Sequence, residues 1–237
     1  MHYVNSCYLS MQTDGDQKPF STADGDDLRV RLQNKEVDDS VSTQDRRYTN
    51  RLLMKESPWW KKAFDVQAPY RWHLRSLNPG FTLDIGCGVG RNLINLKGNG
   101  VGIDHNPHSV EIARSRGLLA FTPSEFQSSL FNKAYRFDSI LLSHVAEHLM
   151  EREVVQLLAA HIALLKPGGQ VIVICPQDYG YRSDPTHVQF LDFTKLRAIA
   201  CEAGLIPVRE YSFPFPRVFG HLFKYNEFVS ISRKGHV

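Results

Sequence analysis

The chain has 237 residues, 42% of them hydrophobic and 22% charged, enough to bury one substantial core and to form a single α/β domain of about 180 residues with extensions. Its formal charge of +3 is mild and its basic residues are dispersed, which argues against a nucleic-acid partner; the densest basic cluster, WWKKAF at 59–64, reads as a solvated helix face with two tryptophans behind it. The longest apolar runs, such as VIVIC at 171–175, fall far short of the ~20 residues of a membrane helix, and no basic segment followed by an apolar one opens the chain, so a cytoplasmic protein without membrane contact is expected.

Residues 1–40 are rich in Asp, Ser, Thr and Gly with few spaced apolar positions. Such a segment cannot offset the entropy of ordering, and a flexible tail is expected. Residues 41–78 suggest two helical pieces separated near Ala68-Pro69, with Pro69 in the first turn of the second and Tyr70, Leu74 and Leu77 on one face. Their Trp and Tyr side chains make this segment a candidate lid over a site in residues 79–237. Asn78-Pro79-Gly80 is a turn.

From there strands and helices alternate. The pattern predicts strands at Phe81–Ile85, Val101–Asp104, Leu119–Phe121, Ser139–Ser143 and Gln170–Cys175. Helices are predicted after Gly90, after Pro107, over 150–165 and over 194–203. This is a doubly wound, mainly parallel sheet with helices on both faces. Lys166-Pro167-Gly168-Gly169 is read as the stop of the long helix. VREYSF and FVSISRK have no helix between them and suggest an antiparallel pair at the sheet's end. The four cysteines, Cys7, Cys87, Cys175 and Cys201, lack CxxC spacing, and reduced thiols are expected.

The stretch LDIGCGVGRNL at 83–93 carries the functional signal. A short strand runs into Gly86, Gly88 and Gly90 and then into a helix start, the usual nucleotide corner of an α/β sheet. A dinucleotide site spaces its glycines G-x-G-x-x-G, whereas here Arg91 stands where the third would be. Asp84 at the strand tip would repel a pyrophosphate but attract the ammonium and sulfonium of S-adenosylmethionine. Asp104, about twenty residues further on, suits a carboxylate accepting both ribose hydroxyls.

In order and spacing, LDIGCGVGRNL, GIDHNPHSVEIAR, FDSILLSHVAEHL and LLKPGGQVIVICP resemble the successive motifs of class I S-adenosylmethionine-dependent methyltransferases, over roughly residues 81–211. The resemblance implies a Rossmann-like seven-stranded sheet whose last strand is antiparallel. It implies Gly86, Gly88 and Gly90 along the methionine part of the cofactor, Asp104 on the ribose, and residues near Thr122–Phe126 at the adenine edge. The cofactor-binding set is then Asp84, Gly86, Gly88, Gly90, Asp104, His105, Thr122 and Ser143.

For the acceptor, His144 follows the fourth predicted strand and His187 lies in a loop after the fifth, so both are candidate general bases at the carboxyl edge of the sheet. Glu147-His148 is a pair common in the superfamily and is read as a helix start with a packing role. His144, Glu147 and His148 form H-x-x-E-H, a donor set better matched to zinc or manganese than to magnesium. The E-H pair recurs in metal-free members, so a site without metal is expected. Aromatic residues in the N-terminal segment and late loops point to a small-molecule acceptor, methylated on a hydroxyl oxygen. An RNA or protein methyltransferase would show an added binding module or basic stripe. A non-catalytic cofactor-binding subunit would bind without turnover. Oligomeric state has no signature in the sequence.

Overall fold

The computed structural model describes residues 67–235; the tail expected at 1–40 and residues 41–66 of the expected lid lie outside them. Seven strands form one sheet in the order β3-β2-β1-β4-β5-β7-β6. The strands are β1 (Thr82–Ile85), β2 (Gly100–Ile103), β3 (Ala120–Phe121), β4 (Phe137–Ser143), β5 (Leu165–Pro176), β6 (Leu205–Phe213) and β7 (Glu227–Lys234). β1 to β5 pair in parallel, and β7 runs antiparallel to both β5 and β6. The helix-free ending therefore does what its sequence suggests. β6 and β7 are joined by a loop with one short 3-10 turn, Arg217–His221, and a connection without a crossover helix reverses strand direction.

Among the described residues seven helices flank the sheet: α1 (Ala68–Ser76), α2 (Arg91–Asn95), α3 (Pro107–Ser115), α4 (Pro123–Gln127), α5 (Glu151–His161), α6 (Asp178–Arg182) and α7 (Phe193–Glu202). Their starts are chemically marked. Asn106 accepts hydrogen bonds from His108 N and Ser109 N ahead of Pro107, and Thr122 forms a capping box with Glu125; Asp192 accepts from Lys195 N. Each such cap satisfies helix-end donors that would otherwise lack partners.

Strand periodicity sends alternate side chains to opposite faces. Ile140 and Leu142 of β4, with Val171, Val173 and Cys175 of β5, pack with Val154 and Leu158 of α5 and Leu196 and Ile199 of α7. The intervening Leu141, Ile172 and Ile174 join Val229 and Ile231 of β7 and Leu74 of α1 on the other face. Burying both faces explains why the central strands read as apolar runs. Phe137, Leu83 and Leu142 are fully buried, each worth about 2–3 kcal/mol in transfer terms.

Several sequence expectations need adjusting. β5 begins at Leu165, so Lys166-Pro167-Gly168-Gly169 lies within the strand; Phe137 pairs with Leu165, and a bulge between Phe137 and Ser139 absorbs the irregular segment. The described part of the expected lid, α1, packs through Leu74 into the core of one face. Cys87 and Cys175 are buried free thiols. Among the described residues no helix is long and apolar enough to cross a membrane.

Candidate active site

The carboxyl ends of β1, β2, β3 and β4 share one edge of the sheet, because these strands are parallel and adjacent. Asp84 lies on β1, Gly86, Gly88 and Gly90 in the turn after it, Asp104 and His105 just past β2, Thr122 just past β3 and Ser143 at the end of β4. Eight residues spread over sixty positions thus meet along that edge.

The turn is built around left-handed glycines. Gly86 has φ 76° and is the hydrogen-bond donor to Ile103 O at 2.7 Å. A Cβ on Gly86 would overlap Val145 Cγ2, so the segment after β4 packs directly on the turn. Gly90, with φ 84°, is the N-cap of α2. Gly88 N donates to Asp104 Oδ2 at 2.7 Å and Asn106 N donates to Asp104 Oδ1 at 2.8 Å. These two bonds fix the carboxylate's orientation and leave lone pairs on both oxygens for a ligand.

Asp84 is 0% exposed. Asn92 Nδ2 donates to its Oδ1 at 3.4 Å, while Oδ2 is buried with no hydrogen-bond partner. Burial pushes its pKa up to about 7, opposed by the Asn92 hydrogen bond and assisted by the nearby Asp104 charge. A buried carboxylate with one unsatisfied oxygen beside a glycine turn fits a ligand that brings a cation, and a substituted ammonium meets that need. Thr122 has a structural task as well, since its hydroxyl caps α4.

The chain's match to the methyltransferase domain family model covers residues 70–210. It belongs to that family. Among solved structures it is similar to an S-adenosylmethionine-dependent methyltransferase from Archaeoglobus fulgidus, with a TM-score of 0.58 and 21% identity over 74% of this chain and 98% of that one. It is also similar to the 1,6-didemethyltoxoflavin-N1-methyltransferase of Burkholderia thailandensis, whose structure holds 1,6-didemethyltoxoflavin and S-adenosylhomocysteine (TM-score 0.52, 18% identity, 93% of each chain). Among curated proteins, the tRNA U34 carboxymethyltransferase of Pseudoalteromonas translucida is 28% identical over 153 residues, 54% of this chain and 46% of that protein. The match thus spans about half the length of that relative. The chain carries a methyltransferase domain with the Rossmann-like fold of these structures.

Beyond β4 the methyltransferase gathers a second group of polar side chains. His144, at φ 59°, is held between two carboxylates: Nδ1 lies 3.2 Å from Glu147 Oε1 and Nε2 2.9 Å from Glu227 Oε1. Burial alone would lower its pKa, but the hydrogen bonds and charges of Glu147 and Glu227 outweigh it and raise the pKa to about 10. Both ring nitrogens are therefore occupied. Glu227, the first residue of β7, is set in place by its neighbours, since Gln177 Nε2 donates to Glu227 O at 2.9 Å and Asn226 Nδ2 to Gln177 Oε1 at 3.0 Å.

Glu147 is 1% exposed and sits on a 3-10 turn, Ala146–His148. Its backbone carbonyl accepts from Val188 N at 2.9 Å and Gln189 N at 3.3 Å, which docks the loop carrying His187 onto the turn. His187 Nε2 lies 3.9 Å from Glu147 Oε1, and its side chain is 8% exposed. Its Nδ1 donates to Tyr181 O at 2.7 Å, with the Tyr181 ring stacked on the imidazole. Burial lowers the His187 pKa, opposed by the Tyr181 carbonyl and the Glu147 charge. His148 Nδ1 donates to Thr186 O at 3.0 Å, and its ring meets that of His187 edge to face at 4.8 Å. The buried thiol of Cys175, beside the Glu147 carboxylate, is held protonated by burial and by that charge.

The structure thus brings Glu147, His148 and His187 together and ties His144 to Glu227. Sequence reasoning singled out both histidines as bases. It read Glu147-His148 as packing after weighing the pair as metal donors, placed Tyr181 only among the aromatic residues of the late loops, and missed Glu227. Glu147 had a signal in the H-x-x-E-H spacing. Glu227 had none, lying 83 residues from His144.

Proposed function

We propose that the enzyme transfers the methyl group of S-adenosylmethionine to a hydroxyl oxygen of a small-molecule acceptor. The observation that carries this reading is the enclosed Glu147–His148–His187 group beside the cofactor turn. Val145, two residues before Glu147, abuts Gly86, so the group lies next to the methionine side of the proposed cofactor site. Bound there, S-adenosylmethionine would supply a methyl group on a positively charged sulfur, activated for transfer to an acceptor oxygen with the S–CH₃ bonding pair retained by sulfur.

The chain's own task is to hold the acceptor in line, exclude water and receive the hydroxyl proton as the O–CH₃ bond forms. His187 and His148 each have the Nδ1 proton committed to a carbonyl oxygen, which can only accept. Each Nε2 therefore carries the lone pair. His144 serves differently, because both its nitrogens face carboxylates; it braces Glu147 against β7. Asp84 and the glycine turn would hold the methionine end, and Asp104 the ribose. The burial of Glu147 and His187 and the stacked Tyr181 ring favour a compact acceptor over a polymer.

A second reading, transfer to RNA, is favoured by the similarity to a tRNA-modifying enzyme. Methyl-labelled S-adenosylmethionine separates the two when offered with a small-metabolite extract or with total tRNA. Label entering alkali-stable ethers in the small-molecule fraction supports the first reading. Label entering tRNA alone refutes it.

A further inference from the structure

We propose that Glu147, His148 and His187 form a binding site for one divalent transition-metal ion, zinc by the character of its donors, with a coordination position open to the acceptor oxygen. Each residue offers a ligand atom, and these atoms lie within 4.8 Å of one another. In a tetrahedral complex neighbouring ligand atoms stand about 3.3 Å apart. His187 Nε2 and Glu147 Oε1, at 3.9 Å, are already near that value, and small side-chain rotations close the remainder.

The imidazoles are prepared as ligands. In each, the Nδ1 proton is given to a backbone carbonyl, Thr186 O for His148 and Tyr181 O for His187. That bond leaves Nε2 as the free donor and fixes the ring plane, as outer partners do for metal-bound histidines. Both carbonyls belong to the stretch 181–186, and Val188 N and Gln189 N anchor the adjoining chain to Glu147 O. One loop therefore sets both rings against the same carboxylate.

The carboxylate supplies an independent sign. Glu147 is buried, and its Oε2 meets no nitrogen or oxygen donor, the weakly donating Cys175 thiol being the carboxylate's other neighbour. A buried carboxylate oxygen without a donor is costly unless a cation satisfies it. His144 meets only Oε1 and is drawn away toward Glu227, so it stands outside the ligand set. Two neutral imidazoles and one carboxylate suit zinc with three protein ligands and an open fourth position. Hard ions such as magnesium prefer oxygen donors. This proposal departs from the metal-free site expected from the sequence.

The inference rests on reading this group as the one that activates the acceptor: with the ion bound, the hydroxyl oxygen is held and polarised by the metal, and His187 acts as ligand in place of base. The full chain, stripped with chelator and desalted, is titrated with zinc sulfate alone by calorimetry, with cobalt(II) as a spectroscopic substitute. One equivalent per chain is expected, together with cobalt absorption of low-coordinate type and at least tenfold weaker binding in Glu147→Gln, His148→Gln and His187→Gln. Thermal melts of the stripped variants check that they fold; if Glu147→Gln does not, the two histidine variants carry the comparison. Wild-type chain that binds no more zinc than these variants overturns the proposal, as does stoichiometric binding that they leave unchanged. The acceptor reading fails separately: zinc binding as expected with label entering only RNA leaves the metal site standing, and label entering small-molecule ethers without zinc binding leaves only the proposed function.

Discussion

Replacing Asp84 by Asn should strengthen the ligand-free protein and weaken its hold on the cofactor. The folded-state pKa of Asp84 is about 7, above its ordinary 3.8, chiefly through burial. With the folded value raised, the unfolded chain loses this proton first as pH rises. The stability contributed by the protonated form is full below pH 3.8 and is lost progressively through pH 7. At pH 8 the unsatisfied carboxylate then costs the ligand-free protein roughly 2–4 kcal/mol. Asp84→Asn removes that charge and should raise the ligand-free melting temperature at pH 8 by about 4–8 °C, the equivalent of about 2 kcal/mol for a chain of this size. Cofactor binding should move the other way. An ammonium bonded to an ionised carboxylate is worth about 1.5–3 kcal/mol, so the variant should bind S-adenosylhomocysteine roughly 10- to 150-fold more weakly. In the wild type the carboxylate is about 90% ionised at pH 8 and about 10% at pH 6, which predicts roughly tenfold weaker binding at pH 6 with close to one proton released. Calorimetry at both pH values in two buffers of different ionisation enthalpy measures affinity and proton count together. Affinity independent of pH, with no proton released, would refute the assignment of Asp84 to the cofactor's ammonium.

Asp104→Ala removes the carboxylate that Gly88 and Asn106 orient and should lower cofactor affinity by about 1.5–3 kcal/mol; unchanged affinity by calorimetric titration takes it out of the site. Gly86→Ala forces a side chain into left-handed backbone and into Val145, so both binding and melting temperature should fall. A variant that binds normally would show that the turn tolerates a Cβ. His73 is 5% exposed, hydrogen-bonded at 2.6 Å to Tyr211 Oη and stacked on Phe213. Burial, with a contribution from Arg209, lowers its pKa to about 4. Because the folded value is depressed, the unfolded chain protonates first on acidification: stability is full above pH 6.5 and should fall by up to about 3 kcal/mol as pH approaches 4. His73→Phe should flatten that acid limb, and superimposable melting-temperature profiles for the two proteins would show that His73 is not its source.

The alternation of apolar strands with capped helices and the strand-to-glycine turn at 83–90 were legible in the sequence because they depend on near neighbours. Side-chain period, proline and glycine positions and capping residues act within a few residues of where they stand, and parallel topology follows once crossover helices separate the strands. The candidate cofactor residues come together for a related reason: each lies at or just past a strand end, and adjacent parallel strands bring such ends to one edge. The group beyond β4 is of another kind. His187 and His148 become a pair only when the loop at 181–189 docks on the Glu147 carbonyl. Glu227 reaches His144 only because β7 inserts antiparallel between β5 and β6, which places the first residue of β7 beside the last of β5. No local pattern records that insertion. Sequence by itself determined the elements and the sheet edge where the candidate cofactor residues stand; the tertiary structure decided which histidine is clamped between carboxylates and which present a free nitrogen to a buried glutamate, because those states depend on partners distant along the chain.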